Sequence, residues 1–370
     1  MKIALFNIQN LFHRDRVFTE LERSRNFLNW NKEFDDLLQK KAEKPSSMER
    51  LRELAYLLRF DKTNYNSYAI LRKKEGELYF KGMESPNETK AHEKTNWNGW
   101  IKIQTTPISS KAIAHKAQVI KDIDPDILIL QEIEDRNSLD EFNNLIFPEL
   151  DCTPFDHCIL VPNSEGKGRE QALLLKNGHE LDSIKFHIID TSERFTHELI
   201  EYRIKTKEGE LIYVLSAYFY EDELNTEDAW KIRQKQAESV SKIYQNIRLT
   251  GQHKVMVSGT LNAPSYCKSI SPLLQESDLK DITKHLSFEV DYDEGIDESY
   301  HRMGAYRKGV NIKQKDFMLL SPELFSRMTD SGLNRKALWP TERPQWNTYK
   351  TLKTKIDAAS EHPAIWCTIN

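Results

Sequence analysis

Glu132 stands where an apolar run of strand length, Ile127 to Leu130, gives way to Gln131-Glu132. A carboxylate at that point can ligate a cation, handle a proton or cap a turn. For one strand end taken alone, the turn cap is the plainer reading. Strand C-termini are nonetheless where open α/β sheets gather their chemistry, and other runs in this chain finish in the same way. Ile3 to Phe6 delivers Asn7, and Lys254-Val255-Met256-Val257-Ser258 leads into Gly259-Thr260-Leu261-Asn262. Asp316 opens the run Phe317-Met318-Leu319-Leu320, and Ser360-Glu361-His362-Pro363 precedes Ala364 to Ile369.

The elements that must position these residues can be read around them. The chain has 370 residues, 39% of them hydrophobic, enough for one large core or two small ones. Its formal net charge of −4 gives no global basic field, so any polyanion site has to be a local patch. Cys152, Cys158, Cys267 and Cys367 show neither CxxC pairing nor a His partner at zinc spacing, which reads as free thiols in a reducing compartment. No signal-type h-region and no run of membrane-spanning length is present, so a soluble, cytoplasmic protein is expected.

A helix is expected from about Ser110 to Ile123, and a long amphipathic one from Glu227 to Arg248. Strands are expected at 169–175 and 211–218 besides those already named. The character between about 13 and 110 is polar and mostly helical. Ser46-Ser47-Met48-Glu49 has the form of a capping box, with Met48, Leu51, Leu54, Ala55 and Leu58 on one face of the helix it would open. Short strands are possible around 77–81 and 97–103. The stretch reads as an insertion in a single 1–370 domain, without a core of its own. Its amphipathic helix could dock a protein partner.

Taken together, Phe6-Asn7-Ile8-Gln9-Asn10-Leu11-Phe12, Asp126 to Glu134, Gly259-Thr260-Leu261-Asn262, Lys315 to Ser321 and Ser360 to Ile365 resemble the motifs of the endonuclease/exonuclease/phosphatase superfamily, in their order and wide spacing. The resemblance implies an α+β or α/β fold of two packed mixed β-sheets flanked by helices, the four-layer α-β-β-α sandwich of deoxyribonuclease I. It implies a phosphodiesterase or nuclease using Mg²⁺ or Mn²⁺, because cleaving a phosphodiester requires a cation on a non-bridging oxygen, an activated water and stabilisation of the leaving oxygen. Carried over residue by residue, Glu132 is the principal metal ligand, Asn7 a metal-shell or phosphate contact, and Asp316 the carboxylate orienting His362. Asn262 is the Asn of the Gly-Asp-x-Asn motif.

The departures are equally specific. Thr260 replaces the Asp that activates water, and a hydroxyl is no base near neutral pH; the loss is worth roughly 10²–10⁴ in rate. Tyr218 replaces a His, bringing a phenol that titrates several units higher. Glu361, counted with the metal-binding set, replaces an Asp, and Lys167-Gly168-Arg169-Glu170 stands for Arg-Gly-x-Asp. The expectation is a phosphodiesterase with weak or lost activity; the alternative is an inactive homologue kept as a nucleic-acid- or protein-binding scaffold. Basic and aromatic residues at 300–315 and 331–357, Arg307, Lys308, Arg343, Trp346 and Lys350 among them, make nucleic acid the expected ligand.

Overall fold

The computed structural model describes residues 1–15, 27–39, 44–58, 69–75, 78–81, 99–103, 105–162, 169–190, 196–221, 227–290, 314–340 and 346–370. The chain forms two compact units, one of 1–12 with 109–370 and one of 13–108. It opens on β1 (Lys2–Asn7), which belongs to the first unit.

The 13–108 unit holds β2 (His13–Asp15), α1 (Phe27–Gln39), α2 (Pro45–Leu57), β3 (Ala69–Glu75), β4 (Leu78–Lys81), β5 (Gly99–Ile103) and β6 (Thr105–Pro107). β3 pairs antiparallel with both β4 and β5, and β2 with β6. Strands thus share a segment that reads as mostly helical. Their sequences carry little apolar periodicity, and their cross-strand pairing is not visible in one strand alone. α2 begins at Pro45 with Lys44 as its cap and no side-chain cap bond, so the Ser46 capping box gives way to a proline start. Arg50 grips both Glu33 carboxylate oxygens, at 2.8 and 2.7 Å, and ties α2 to α1.

In the larger unit the elements follow as α3 (Ser110–Ile123), β7 (Ile127–Ile133), β8 (His157–Val161), β9 (Glu170–Leu175), β10 (Glu180–Asp190), β11 (Thr196–Lys205), β12 (Leu211–Tyr218), α4 (Glu227–Leu249), β13 (Val255–Thr260), β14 (Lys280–Asp281), β15 (Phe288–Glu289), β16 (Asp316–Leu320), β17 (Met328–Asn334) and β18 (Ala364–Ile369). One sheet runs β15-β17-β18-β1-β7-β9-β8 and the other β10-β11-β12-β13-β16-β14. Parallel and antiparallel pairs occur in both.

Strand alternation builds the layers. Ile3, Leu5, Ile127, Ile129, Leu173 and Ile365 from the first sheet meet Tyr202, Ile212, Val214, Met256, Met318 and Leu320 from the second in one core between the sheets. The alternate residues Ala4, Phe6, Leu128 and Leu130 pack under Ala117, Ile120 and Ile123 of α3. Leu215, Val257 and Leu319 do the same under Ala237, Val240 and Tyr244 of α4. The central strands β1, β7, β9, β12, β13 and β16 are buried on both faces, which is why they read as unbroken apolar runs. The result is the expected α-β-β-α sandwich of two mixed sheets. All four cysteines are free. No helix among the described residues is long and apolar enough to cross a membrane.

Candidate active site

β1 and β7 run parallel, with Asn7 opposite Gln131. One residue later the β7–β9 ladder breaks, and Glu132 lies in the left-handed region at φ +60°. A bulge of this kind re-aims a side chain next to a site. Here it turns the Glu132 carboxylate to where Asn7 Nδ2 donates to Oε1 at 2.9 Å and the Tyr218 hydroxyl donates to the same oxygen at 2.8 Å. Asn7 Nδ2 also donates to Thr260 Oγ1 at 3.2 Å. Thr260 Oγ1 in turn donates to Asp316 Oδ1 at 2.7 Å, and His362 Nδ1 meets Asp316 Oδ2 at 2.8 Å. Tyr218, Glu132, Asn7, Thr260, Asp316 and His362 therefore form one continuous hydrogen-bonded chain that crosses from sheet to sheet. Asn7, Thr260, Asp316 and His362 are buried, while Glu132 and Tyr218 are half-buried at its open end.

Asn262 sits one turn beyond β13, at φ +48°, and its Nδ2 donates to the carbonyl of Phe219 at 2.8 Å. It braces the chain leaving Tyr218 and is not part of the continuous series. Glu361 is exposed, and its backbone N–H, donating to Gln9 Oε1 at 2.8 Å, is what links it to the cluster.

Several polar residues that hold the site together were not singled out as site residues, although Gln131 and Ser360 lie within the motifs and Lys116 on α3. Gln131 is fully buried; its Nε2 donates to Ala217 O and its Oε1 accepts from Thr260 N, both at 2.9 Å, so one side chain couples β7 to β12 and β13 of the other sheet. The buried Lys116 donates to Ile8 O, at 2.6 Å, and to Ala359 O, joining the loop after Asn7 to the loop before His362. Ser360 Oγ donates to Asn7 O at 2.7 Å.

Electrostatics sort the groups. Burial opposes ionisation of Glu132, but the Arg169 charge, the His362 charge and the bonds from Asn7 and Tyr218 prevail and hold its carboxyl below the ordinary value. Burial, then the Glu132 charge, pushes the Tyr218 phenol well above its ordinary value. Burial would lower His362, yet the charge and hydrogen bond of Asp316 raise it. Tyr218 and Thr260 are thus hydrogen-bond donors here and not bases.

A divalent ion wants oxygen ligands with free lone pairs. Oε1 of Glu132 already accepts from Asn7 and Tyr218, and the Arg169 charge favours the ionised form of the same carboxylate. Among the described residues no group of three or more His, Cys, Asp or Glu side chains is placed to hold a metal. Mg²⁺ is held by few protein carboxylates and keeps several waters, and at Glu132 the oxygen Oε1 is closed to it by the Asn7 and Tyr218 donors.

Of the expected nucleic-acid contacts, Trp346 is 7% exposed and stacks on Arg335, whose Cζ lies 5.0 Å from the ring centroid. It is a packing residue and offers no face to a base. Tyr349 donates to Asp122 at 2.9 Å and stacks on His115. Lys350 is exposed, as are Lys315, Lys353 and Lys355. Arg307, Lys308 and Arg343 lie outside the described residues.

The sequence matches no protein-family model and no curated protein. Solved structures are similar in fold. The human Nocturnin catalytic domain with a bound sulfate anion is 13% identical, covering 70% of this chain and 86% of that one, with a TM-score of 0.45. Truncated TDP2 from Caenorhabditis elegans is 16% identical over 70% and 91% of the two chains, with a TM-score of 0.46. At 18% identity, over 70% and 91% and with a TM-score of 0.46, another is an endonuclease/exonuclease/phosphatase from Bacteroides vulgatus, of the superfamily whose motifs the sequence resembles.

Proposed function

We propose that the 1–12 and 109–370 unit binds a phosphodiester, with nucleic acid as the ligand class, and hydrolyses it weakly or not at all. The observation that carries this reading is the position of Thr260. Its hydroxyl fills the gap between Asn7 and Asp316 and donates its hydrogen bond to Asp316. Asn7, Glu132, Asp316 and His362, the residues expected of a phosphodiester site, are joined through it, which supports a binding role with little capacity to take a proton from water. Glu132 is held ionised and is a weak base, and His362 is biased toward its charged form. His362 then offers a phosphate a positive charge, and exposed Lys315, beside Asp316, adds a second at the rim. Losing a general base costs roughly 10²–10⁴ in rate.

Two measurements test the reading. Fluorescence anisotropy with labelled single-stranded DNA and RNA should report binding that weakens as salt rises. Turnover of the same oligonucleotides with Mg²⁺ or Mn²⁺ should be weak or absent in the wild type and should rise in Thr260→Asp/Tyr218→His. Absence of binding to every oligonucleotide refutes the ligand class. A wild type that turns over as fast as the double variant refutes the lost proton chemistry.

A further inference from the structure

We propose that Arg169 and Tyr218 stand in for a divalent cation at Glu132, so that this site is complete without a metal ion. The inference rests on the phosphodiester-site reading above and deepens it, from what is bound to how the site is charged.

A catalytic dication does two things to a lone carboxylate: it satisfies the oxygen lone pairs and cancels the charge. At Glu132 both are met in part, through one of its two oxygens and the charge of Arg169. The Tyr218 hydroxyl and Asn7 Nδ2 occupy Oε1 at 2.8 and 2.9 Å. The guanidinium of Arg169, immediately before β9 and therefore beside the bulge that presents Glu132, supplies the charge. Its side chain is 26% exposed, and its Nη1 pairs with Glu221 Oε2 at 3.0 Å, which anchors it from the far side. Glu221 is paired with Arg169 and Asp316 with His362, and the Arg169 and His362 charges both act on Glu132.

An arriving dication would find Oε1 closed by two donors and would be repelled by the charge of a guanidinium paired with Glu221. In a half-buried site that repulsion is weakly screened. The substitution of a phenol at position 218 thus has a specific consequence. An imidazole can turn a lone pair to solvent, whereas the phenol hydroxyl meets the carboxylate as a donor, at 2.8 Å.

The test is direct titration with Mn²⁺, read by electron paramagnetic resonance of the free ion and by calorimetry, on the full chain. The expected result is no ion bound at Glu132 in the wild type and at least about tenfold tighter Mn²⁺ binding in Arg169→Gln/Tyr218→Phe, a change of about 1.4 kcal/mol. Stoichiometric wild-type binding that Glu132→Gln abolishes overturns the proposal. So does failure of the double variant to gain affinity while its far-ultraviolet dichroism and unfolding remain cooperative. If the double variant does not fold, Tyr218→Phe and Arg169→Gln singly take its place, with the same gain required of at least one.

Oligonucleotide anisotropy in EDTA separates this inference from the one beneath it. Binding retained in EDTA supports the proposal, and binding that appears only on adding Mg²⁺ overturns it while leaving the phosphodiester reading intact. Absence of binding under both conditions removes the phosphodiester reading, and the Mn²⁺ titration still decides the charge at Glu132.

Discussion

The hydroxyl of Thr260 donates to Asp316 Oδ1 across 2.7 Å, in a buried position where it also accepts from Asn7. This contact joins the two halves of the site, Glu132 with Asn7 on one side and Asp316 with His362 on the other. Thr260→Val keeps the shape and deletes both bonds, leaving a buried carboxylate oxygen and an amide N–H short of a partner. A loss of about 1–3 kcal/mol is expected in urea unfolding. A change within about 0.5 kcal/mol, the range of an ordinary surface substitution, would mean that the contact carries no stability.

Gln131 is the corresponding tie between the sheets. Gln131→Leu is close in size but strands Ala217 O and Thr260 N in the interior. The expected cost is about 2–4 kcal/mol, summed over two unsatisfied buried groups. Equilibrium unfolding measures it, and hydrogen exchange at Thr260 N should quicken in parallel.

Gly259 is fixed by close approach. A Cβ there would lie 1.7 Å from Ala217 O, the carbonyl of the residue it faces across the β12–β13 pair. Gly259→Ala therefore has to push β12 and β13 apart just before Thr260. The expected loss is at least about 2 kcal/mol, seen as a lowered thermal midpoint. A variant as stable as the wild type would refute the tight register.

His362 supplies the pH dependence. Its folded pKa is raised by Asp316 against the opposing effect of burial. The stability it contributes is complete below its ordinary value of 6.5 and is lost as pH rises through the raised folded value. The imidazole resonances should titrate with a midpoint above 6.5, and Asp316→Asn should bring that midpoint down. A wild-type midpoint at or below 6.5 would contradict the imidazolium–carboxylate pair.

Much of the fold was legible in the chain because the central strands are buried on both faces. Ile127 to Leu130, Leu211 to Tyr218, Asp316 to Leu320 and Ala364 to Ile369 are apolar enough to be read singly. β10 and β11 were not, since they mix polar and apolar residues along their length, Phe186 and Ile188 being exposed, and their pairing depends on each other. The opposite error came from Trp346, an aromatic in a basic stretch that the fold buries against Arg335. Composition along a loop does not say which side of the loop faces the protein.

What the sequence by itself determined was the set of chemical groups at the strand ends: Asn7, Glu132, Asn262, Asp316 and His362, with Thr260 and Tyr218 where proton-transfer residues are expected. Which of these groups meet was decided by tertiary structure alone. Tyr218 reaches Glu132 across 86 positions of chain, and Asn7 reaches Thr260 across 253. Those contacts follow from the packing of two sheets and from a one-residue bulge that turns Glu132 toward them. Strand register and bulges are set by pairing between distant segments, so no local stretch of sequence encodes them.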